Sequence, residues 1–508
     1  MKNLSQMSQR WETIRELIPP SLFFLMLASP VALFLGVAIG ILSPVYSAVV
    51  AGAIMLMIIL LLRLDELTVM LIIAVHILVD VYLNLDVFQV AMLMALLLLF
   101  ACYFGRSADH PWTGPRSIWL WGLFLILTIY PTIYGGDFKL TNSIASYLNL
   151  VFSAFIMFWL GNIIAKDFSA VRRVFQLLSV LAALIAIHTI IEATTGIFLF
   201  KSAYAEASLI KYSNFQAEGA AGVSRAGSFF INPNGDGIFL ATSFFLPLGL
   251  VMRSKQLWAK MFYLLETLLI LLALMFTYST ASWIAVLVGI VVFMFLVGSI
   301  RYSVLLLMLV VTLAGIATTV FPAQIAVQLS HASNQSDQLD HLGTIQTAVQ
   351  VIEAYPLFGV GLGDQAYLVR AEPYRVPAQA LPQTEPDNSY LQWGATAGIP
   401  VMLVFLLLLG YAFWYSWRNW RTIDTRYRPF LGAGIVALIA LSINSWVVDG
   451  WTAPSGVEYL GWLIAGIVAS PLIGRYLRHQ SASSTDKTAE IALSQAEISR
   501  MNIAKRGS

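Results

Sequence analysis

Long apolar runs separated by short polar breaks set the pattern of this chain. Fourteen runs of 17 to 26 residues are read near 21–42, 45–62, 67–83, 86–104, 117–134, 144–165, 174–193, 236–252, 261–278, 282–299, 302–321, 390–415, 430–448 and 457–473. About 20 apolar residues cross a bilayer as an α-helix. Lipid offers no partner to an open backbone N–H or C=O, so helices are the expected spanning form. Runs such as Met55 to Leu62 show none of the alternation of a barrel strand. The pattern predicts an all-α, polytopic membrane protein with about 14 transmembrane helices. Two breaks are long, 194–235 and 322–388. In the second, Leu339, Leu342, Ile345, Val349 and Ile352 recur at helical spacing. They predict an amphipathic helix on the membrane surface, ended by Pro356. A loop of 67 residues exceeds a connector and is expected to carry function.

Composition agrees with the pattern. Of 508 residues, 59% are hydrophobic and 11% charged, against about a quarter charged in soluble domains. The net charge of +2 says little, but its distribution says more. With the N-terminus in the cytoplasm, the inner side holds Arg63, Arg106, Arg116, Lys166, Arg172, Arg173, Arg253, Lys255, Lys260, Arg301, Arg418, Arg421, Arg426 and Arg428, with both tails. The outer side holds only Lys139, Lys201, Lys211, Arg225, Arg370 and Arg375. This is the positive-inside distribution. Trp119, Trp121, Trp414, Trp417 and Trp420 fall at predicted inner boundaries, where interfacial aromatics belong. The expected layout is a cytoplasmic segment 1–20, helices over 21–193, an outer loop 194–235, helices over 236–321, a large outer loop 322–388, helices over 389–473 and a cytoplasmic tail 474–508. Residues 1–20 are polar and the next run is long, so no cleaved signal is expected. Cys102 is the sole cysteine, which excludes a disulfide within one chain. Nothing points to nucleic acid as a partner; membrane lipids are the expected surroundings.

Arginines stranded on the outer face suit an anionic substrate. Arg225 precedes Asn232-Pro233-Asn234-Gly235, a turn sequence at the mouth of a span. Its fork matches a phosphate oxygen pair; the plainer reading is an ion pair with a carboxylate or lipid headgroup. Arg370 and Arg375 lie in the large loop. Asp387 precedes the span near 390–415, where partial desolvation would raise it toward base strength; the plainer reading is a helix N-cap. The run Pro356-Leu357-Phe358-Gly359-Val360-Gly361-Leu362-Gly363 is not a nucleotide loop, because no strand precedes it. Tight turns explain it better. His76 and Asp80, like His188 and Glu192, are four apart within spans. They suit a proton path or satisfied pairs near helix ends, with Glu192 close enough to the outer surface to be wet. Glu266, Asn149, Asn162 and Asn444 are candidate interhelical partners. His-rich or Cys-rich metal-ligand spacing is absent, and His331 and His341, ten apart, are weak evidence for a metal site.

Three segments taken in order resemble the O-antigen ligase and O-antigen polymerase family. They are Arg225 with Asn232-Pro233-Asn234, the Pro356 to Gly363 run, and Asp387-Asn388-Ser389-Tyr390-Leu391 followed by Ala397-Gly398-Ile399-Pro400. The likeness covers roughly 225–470. It implies a large-helical (GT-C-like) glycosyltransferase without cofactor or metal, inverting at the anomeric carbon and active on the outer face. The donor would be an undecaprenyl-diphosphate-linked glycan. The acceptor would be a lipid core sugar in a ligase, or another carrier-linked glycan in a polymerase. Fourteen spans and two long loops lean toward the polymerase. Asp387 is then the candidate base, and Arg225, Arg370 and Arg375 the diphosphate ligands, with Asn234, His341, Glu385 and Tyr390 as further contacts. The chain departs from the family at three places. Asp387 stands where histidine is common, Ser279-Thr280-Ala281 lacks an arginine often found there, and Thr396 replaces a frequent Glu. The rival readings are a secondary transporter or flippase, favoured by the intramembrane His–acid pairs, and an assembly scaffold without chemistry.

Overall fold

A computed structural model describes residues 65–83, 117–165, 168–196, 225–230, 232–297, 335–379, 382–452 and 456–471, with scattered positions between 308 and 326. The expected spans near 21–42, 45–62 and 86–104, Cys102, His331, the tail 474–508 and the side chain of Asp80 lie outside these residues. The chain divides into two compact units at Thr68; apart from the start of the helix that begins at Asp65, all that follows concerns the second, Val69–Ser508. Among the described residues every regular element is helical. Six stretches there are long and apolar enough to cross a membrane.

Helix α1 spans Asp65–Leu83. Helices α2 (Ile118–Leu127) and α3 (Ile129–Ser146) run nearly end to end until Lys139 leaves helical geometry. The chain then turns back. Tyr147 donates its hydroxyl to the Leu125 carbonyl at 3.2 Å, so the two arms form a hairpin. A π-helical turn, Tyr147–Phe152, leads into α4, Ser153–Ile164. There follow α5 (Phe168–Thr195), α6 (Pro233–Ser243), α7 (Phe245–Arg253), α8 (Leu257–Thr277) and α9 (Thr280–Val297). The large loop carries α10 (Gln335–Ala354) and α11 (Asp364–Ala371). Last come α12 (Ser389–Ala397), α13 (Ile399–Thr422), α14 (Arg428–Asn444) and α15 (Val457–Val468).

The single span expected at 390–415 is two helices. Gly398 breaks it, with φ of 91°, and Pro400 starts the next helix. The Tyr390 and Phe405 rings lie 6.3 Å apart, whereas one straight helix would separate the two residues by about 22 Å. Thus α12 folds back against α13 as an elbow. The elbow is filled with aromatic rings: Phe124 against Trp393 and Trp121 against Trp462 at 5.0 Å, and Trp451 against Trp462 at 4.8 Å. Such edge and tilted contacts add to the burial of large rings. Trp121 is fully buried here, so it is a core residue and not the interfacial anchor expected of it; Trp119 and Trp414 are exposed.

Lipid-facing helices gain no hydrophobic force from one another, so they join through close backbone contact and polar pairs. Helices α4 and α15 cross at Gly161 and Gly466, where a β-carbon on Gly466 would fall 2.1 Å from the Phe158 carbonyl oxygen. Ser470 Oγ donates to the Asn162 carbonyl at 2.9 Å. Ser179 bonds Glu266 between α5 and α8, and Ser282 bonds Asn444 between α9 and α14. Glu266 and Asn444 therefore join helices as expected, but the Asn149 amide oxygen is buried without a partner.

Tyr427, ahead of α14, stacks on Phe168 at the start of α5 and receives Arg253 from the end of α7. At the opposite end of the same helices, the α9 residue Ser282 meets Asn444 at the end of α14, and Ser389 N–H donates to the Ser445 carbonyl. The candidate site lies at this second end.

Candidate functional site

The site's local geometry follows from short polar sequences at helix mouths. Asn388 caps α12: its side chain accepts from the Tyr390 and Leu391 N–H groups, both at 3.0 Å. Asparagine is among the best residues for this task. The cap therefore falls on Asn388, and Asp387 is left for other contacts. Gln383 Nε2 donates to Asp387 Oδ2 at 3.2 Å, and His341 Nδ1, from α10, lies 3.8 Å from the same oxygen. Burial raises the Asp387 pKa, opposed by His341 and Gln383. Its side chain keeps 38% of its surface open, so the carboxylate is crowded yet reachable.

Helix α10 presents His341 differently from expectation. Thr344, Thr347, Ala348 and Val351 are buried against the protein, while Leu339, Leu342 and Val349 are exposed. The helix packs through its small and hydroxyl-bearing face. Leu339, Leu342 and Val349 of the expected apolar stripe point away from the protein, whereas Ile352 packs against the buried cluster of Val351, Val360 and Tyr367.

Next to Glu385 lies a small, partly open cleft with a volume of about 20 Å³. Its lining includes Gly363, Thr384, Glu385, Gln392, Trp393 and Thr452. Gln392 Nε2 donates to Glu385 Oε2 at 2.5 Å, and Gln392 Oε1 accepts from the Thr452 hydroxyl. Glu385 is held well above the usual carboxylate range, first by burial, then by the charges of Asp449, Asp364 and Asp387. Burial and the Asp387 charge push Asp449 up to about 7, against a hydrogen bond with Glu385. Glu385 and Asp449 thus form a carboxyl pair that favours retaining a proton, because two close carboxylates cannot both ionise cheaply. Asp449, Gln392 and Thr452 went unnoticed in the sequence. The available signal for Asp449 was an acid in the short link after the span near 430–448.

The glycine run forms the cleft's far wall. Gly359, Gly361 and Gly363 have φ of 64°, 104° and 111°, a region that side chains other than glycine's seldom enter. Val360 and Gly361 donate to the carbonyls of Ala395 and Thr396, and Leu362 donates to that of Pro131. The run ties α12 to the α2–α3 arm, which is more than the turn expected of it.

The three arginines have separate surroundings. Arg370 donates to the carbonyls of Tyr134 and Val360, pairs with Asp137 at 3.0 Å, and lies 3.5 Å over the Tyr134 ring. Arg375 forks onto Glu372 and donates to the Gln379 carbonyl. Arg225 donates to the Thr277 carbonyl at 3.0 Å and to Asn234 Oδ1 at 2.8 Å, on the turn between α8 and α9. Asn234 follows Asn232, which caps α6. Glu192 is buried rather than wet; it accepts from the N–H groups of Gly227 and Ser228 and so holds the Arg225 segment. His188 Nδ1 meets Ser228 Oγ at 2.9 Å. His188 and Glu192 therefore both engage this segment. Ser228 and Tyr278, which flank the Arg225 contacts, are the two non-glycine residues with positive φ among the described residues. Backbone strain of this kind gathers at functional sites. Tyr390 donates its hydroxyl to the Ser442 carbonyl at 2.8 Å, so it braces the elbow.

No curated protein matches the chain. The family model described as O-antigen ligase matches residues 265–406, a stretch that includes the glycine run, Arg370, Arg375, Glu385, Asp387 and the capped α12. The chain is a multi-pass helical membrane protein, and over residues 265–406 it is similar to the O-antigen ligase family.

Proposed function

We propose that the protein transfers a glycan from an undecaprenyl-diphosphate carrier on the non-cytoplasmic face, inverting the anomeric carbon. The acceptor is a lipid core sugar or another carrier-linked glycan. The observation that carries this reading is Asp387: a raised-pKa carboxylate, spared from capping, at the mouth of α12 within the O-antigen ligase match. In the proposed step the acceptor hydroxyl gives its proton to Asp387, and its oxygen bonds to the anomeric carbon. The bond from that carbon to the diphosphate breaks, and the diphosphate departs with the electron pair. A positioned base of this kind contributes about 10²–10⁴-fold. Arg225, Arg370 and Arg375 are the proposed source of positive charge for the leaving group, in a reaction that takes no metal. Arg225 supports this role by lying on the α8–α9 turn, where the family resemblance places an arginine that Thr280 does not supply. Asn234, His341, Glu385 and Tyr390 complete the proposed contacts.

The His341 contact favours a second assignment within the same reaction, with Asp387 orienting His341 as the base. Asp387→Asn is expected to abolish long glycan in cells while the protein inserts and accumulates normally; normal polymer from stable D387N excludes Asp387. Retained polymer in His341→Gln would exclude the second assignment. Gene deletion with glycan length profiling separates the reaction classes. Single repeats on a capped acceptor indicate a polymerase, long chains left on the carrier a ligase, and unflipped carrier glycan a transporter.

A further inference from the structure

Helices α13 and α14 meet in a basic, aromatic corner at the end of the bundle away from Asp387. Helix α13 begins beside the elbow at Ile399 and runs to Thr422, about 35 Å at 1.5 Å per residue. The stretch 417–428 carries four arginines against one acid, Asp424. The Trp417 and Trp420 rings stack with centroids 5.0 Å apart. Arg421 lies 4.8 Å over Trp417, and Arg428 lies 5.3 Å over Trp420. The ring faces hold both guanidinium groups in place without neutralising them.

A second observation concerns the bonds of Arg428 itself. This half-buried residue donates from Nη2 to the Arg421 carbonyl at 3.4 Å, and its Nε–H is buried without an acceptor. Among the described residues neither Arg421 nor Arg428 has a carboxylate partner. A partly desolvated cation is costly unless an anion meets it. The neighbouring surface is apolar. Leu407 and Trp414, 57% and 66% exposed, precede Arg421 at seven-residue spacing, so all three share one face of α13. A soluble phosphate would use the arginines alone. A lipid uses the arginines and the apolar face together.

We propose that this corner is a headgroup site for an anionic phospholipid. Arg421 and Arg428 take the phosphate oxygens, and an acyl chain follows the face of Leu407 and Trp414. An ordinary aromatic belt anchors a helix at the interface without choosing among headgroups; the two arginines add the choice. The site does not depend on the glycan-transfer reading.

Native mass spectrometry of the full-length protein in detergent tests it, with dioleoylphosphatidylglycerol and dioleoylphosphatidylcholine supplied at equal concentration. The anionic lipid is expected to be retained over the zwitterionic one. Arg421→Gln and Arg428→Gln should each lower that preference about fivefold, the effect of one basic residue at a membrane surface. R421Q changes an exposed residue, so it carries the test if R428Q fails to accumulate. The double variant Arg172→Gln, Arg173→Gln removes exposed cations from the start of α5, at the same end of the bundle, and should leave the preference intact. No anionic preference, an undiminished preference in R421Q, an equal loss in the α5 variant, or displacement of the lipid by inorganic phosphate overturns the site.

Discussion

Asp387 and Asn388 are adjacent, yet the structure gives them different work. Asn388 satisfies two N–H groups at the start of α12, and Asp387 turns toward Gln383 and His341. Removing an N-cap side chain costs about 1 kcal/mol. Asn388→Ala is therefore expected to lower the thermal unfolding midpoint in detergent, and Asp387→Ala to leave it nearly unchanged. Equal losses in the two variants would put the cap on the wrong residue. The sequence offered Asp387 as the cap candidate; side-chain direction is set by what packs opposite, here a histidine from α10 far away in the chain. Residue types thus revealed that a polar helix mouth existed. Which of its members was free for chemistry depended on packing.

At the scale of elements, the glycine run and the elbow depend on each other. Gly361 N–H is bonded to the Thr396 carbonyl, and a β-carbon on Gly361 would fall 2.6 Å from the Gly135 Cα. Gly361→Ala combines that clash with a φ of 104°. It is expected to cost about 2 kcal/mol or more, read as a lower unfolding midpoint and faster trypsin cleavage within 356–388. An unchanged midpoint would show that the run is not held between α3 and α12. Apolar length made most described helices legible, because the apolar length that lets a run of side chains sit in protein or lipid is a local property. The elbow was missed because the residues on both sides of Gly398 are apolar enough to read as one span. Folding α12 back requires the ring cluster of Phe124, Trp393 and Phe405, which joins distant segments. Period alone likewise found α10, but assigned no partner to its faces.

Across the molecule, acids from separate segments meet at one end of the bundle. Asp449 has a pKa raised to about 7 from an ordinary 3.8, and the Glu385 and Asp387 values are raised as well. Between 3.8 and about 7 the folded protein holds the Asp449 proton while the unfolded chain has released it. Protons are then bound more by the folded state, so stability falls as pH rises through that window. Thermal midpoints in detergent from pH 4.5 to 8 should decline with rising pH, and Asp449→Asn should flatten the decline. A slope unchanged in D449N would locate the responsible group elsewhere.

The amino-acid sequence by itself determined the membrane class and the helical form. These follow from additive local quantities: apolar length, residue type and charge. It also carried the motifs by which the family could be read. Tertiary structure alone decided that α12 is an elbow, that Trp121 belongs to a core, that Glu192 holds the Arg225 segment and that Glu385 meets Asp449. Each depends on which distant surfaces pack together, and a carboxylate's strength depends on the charges and burial that such packing creates.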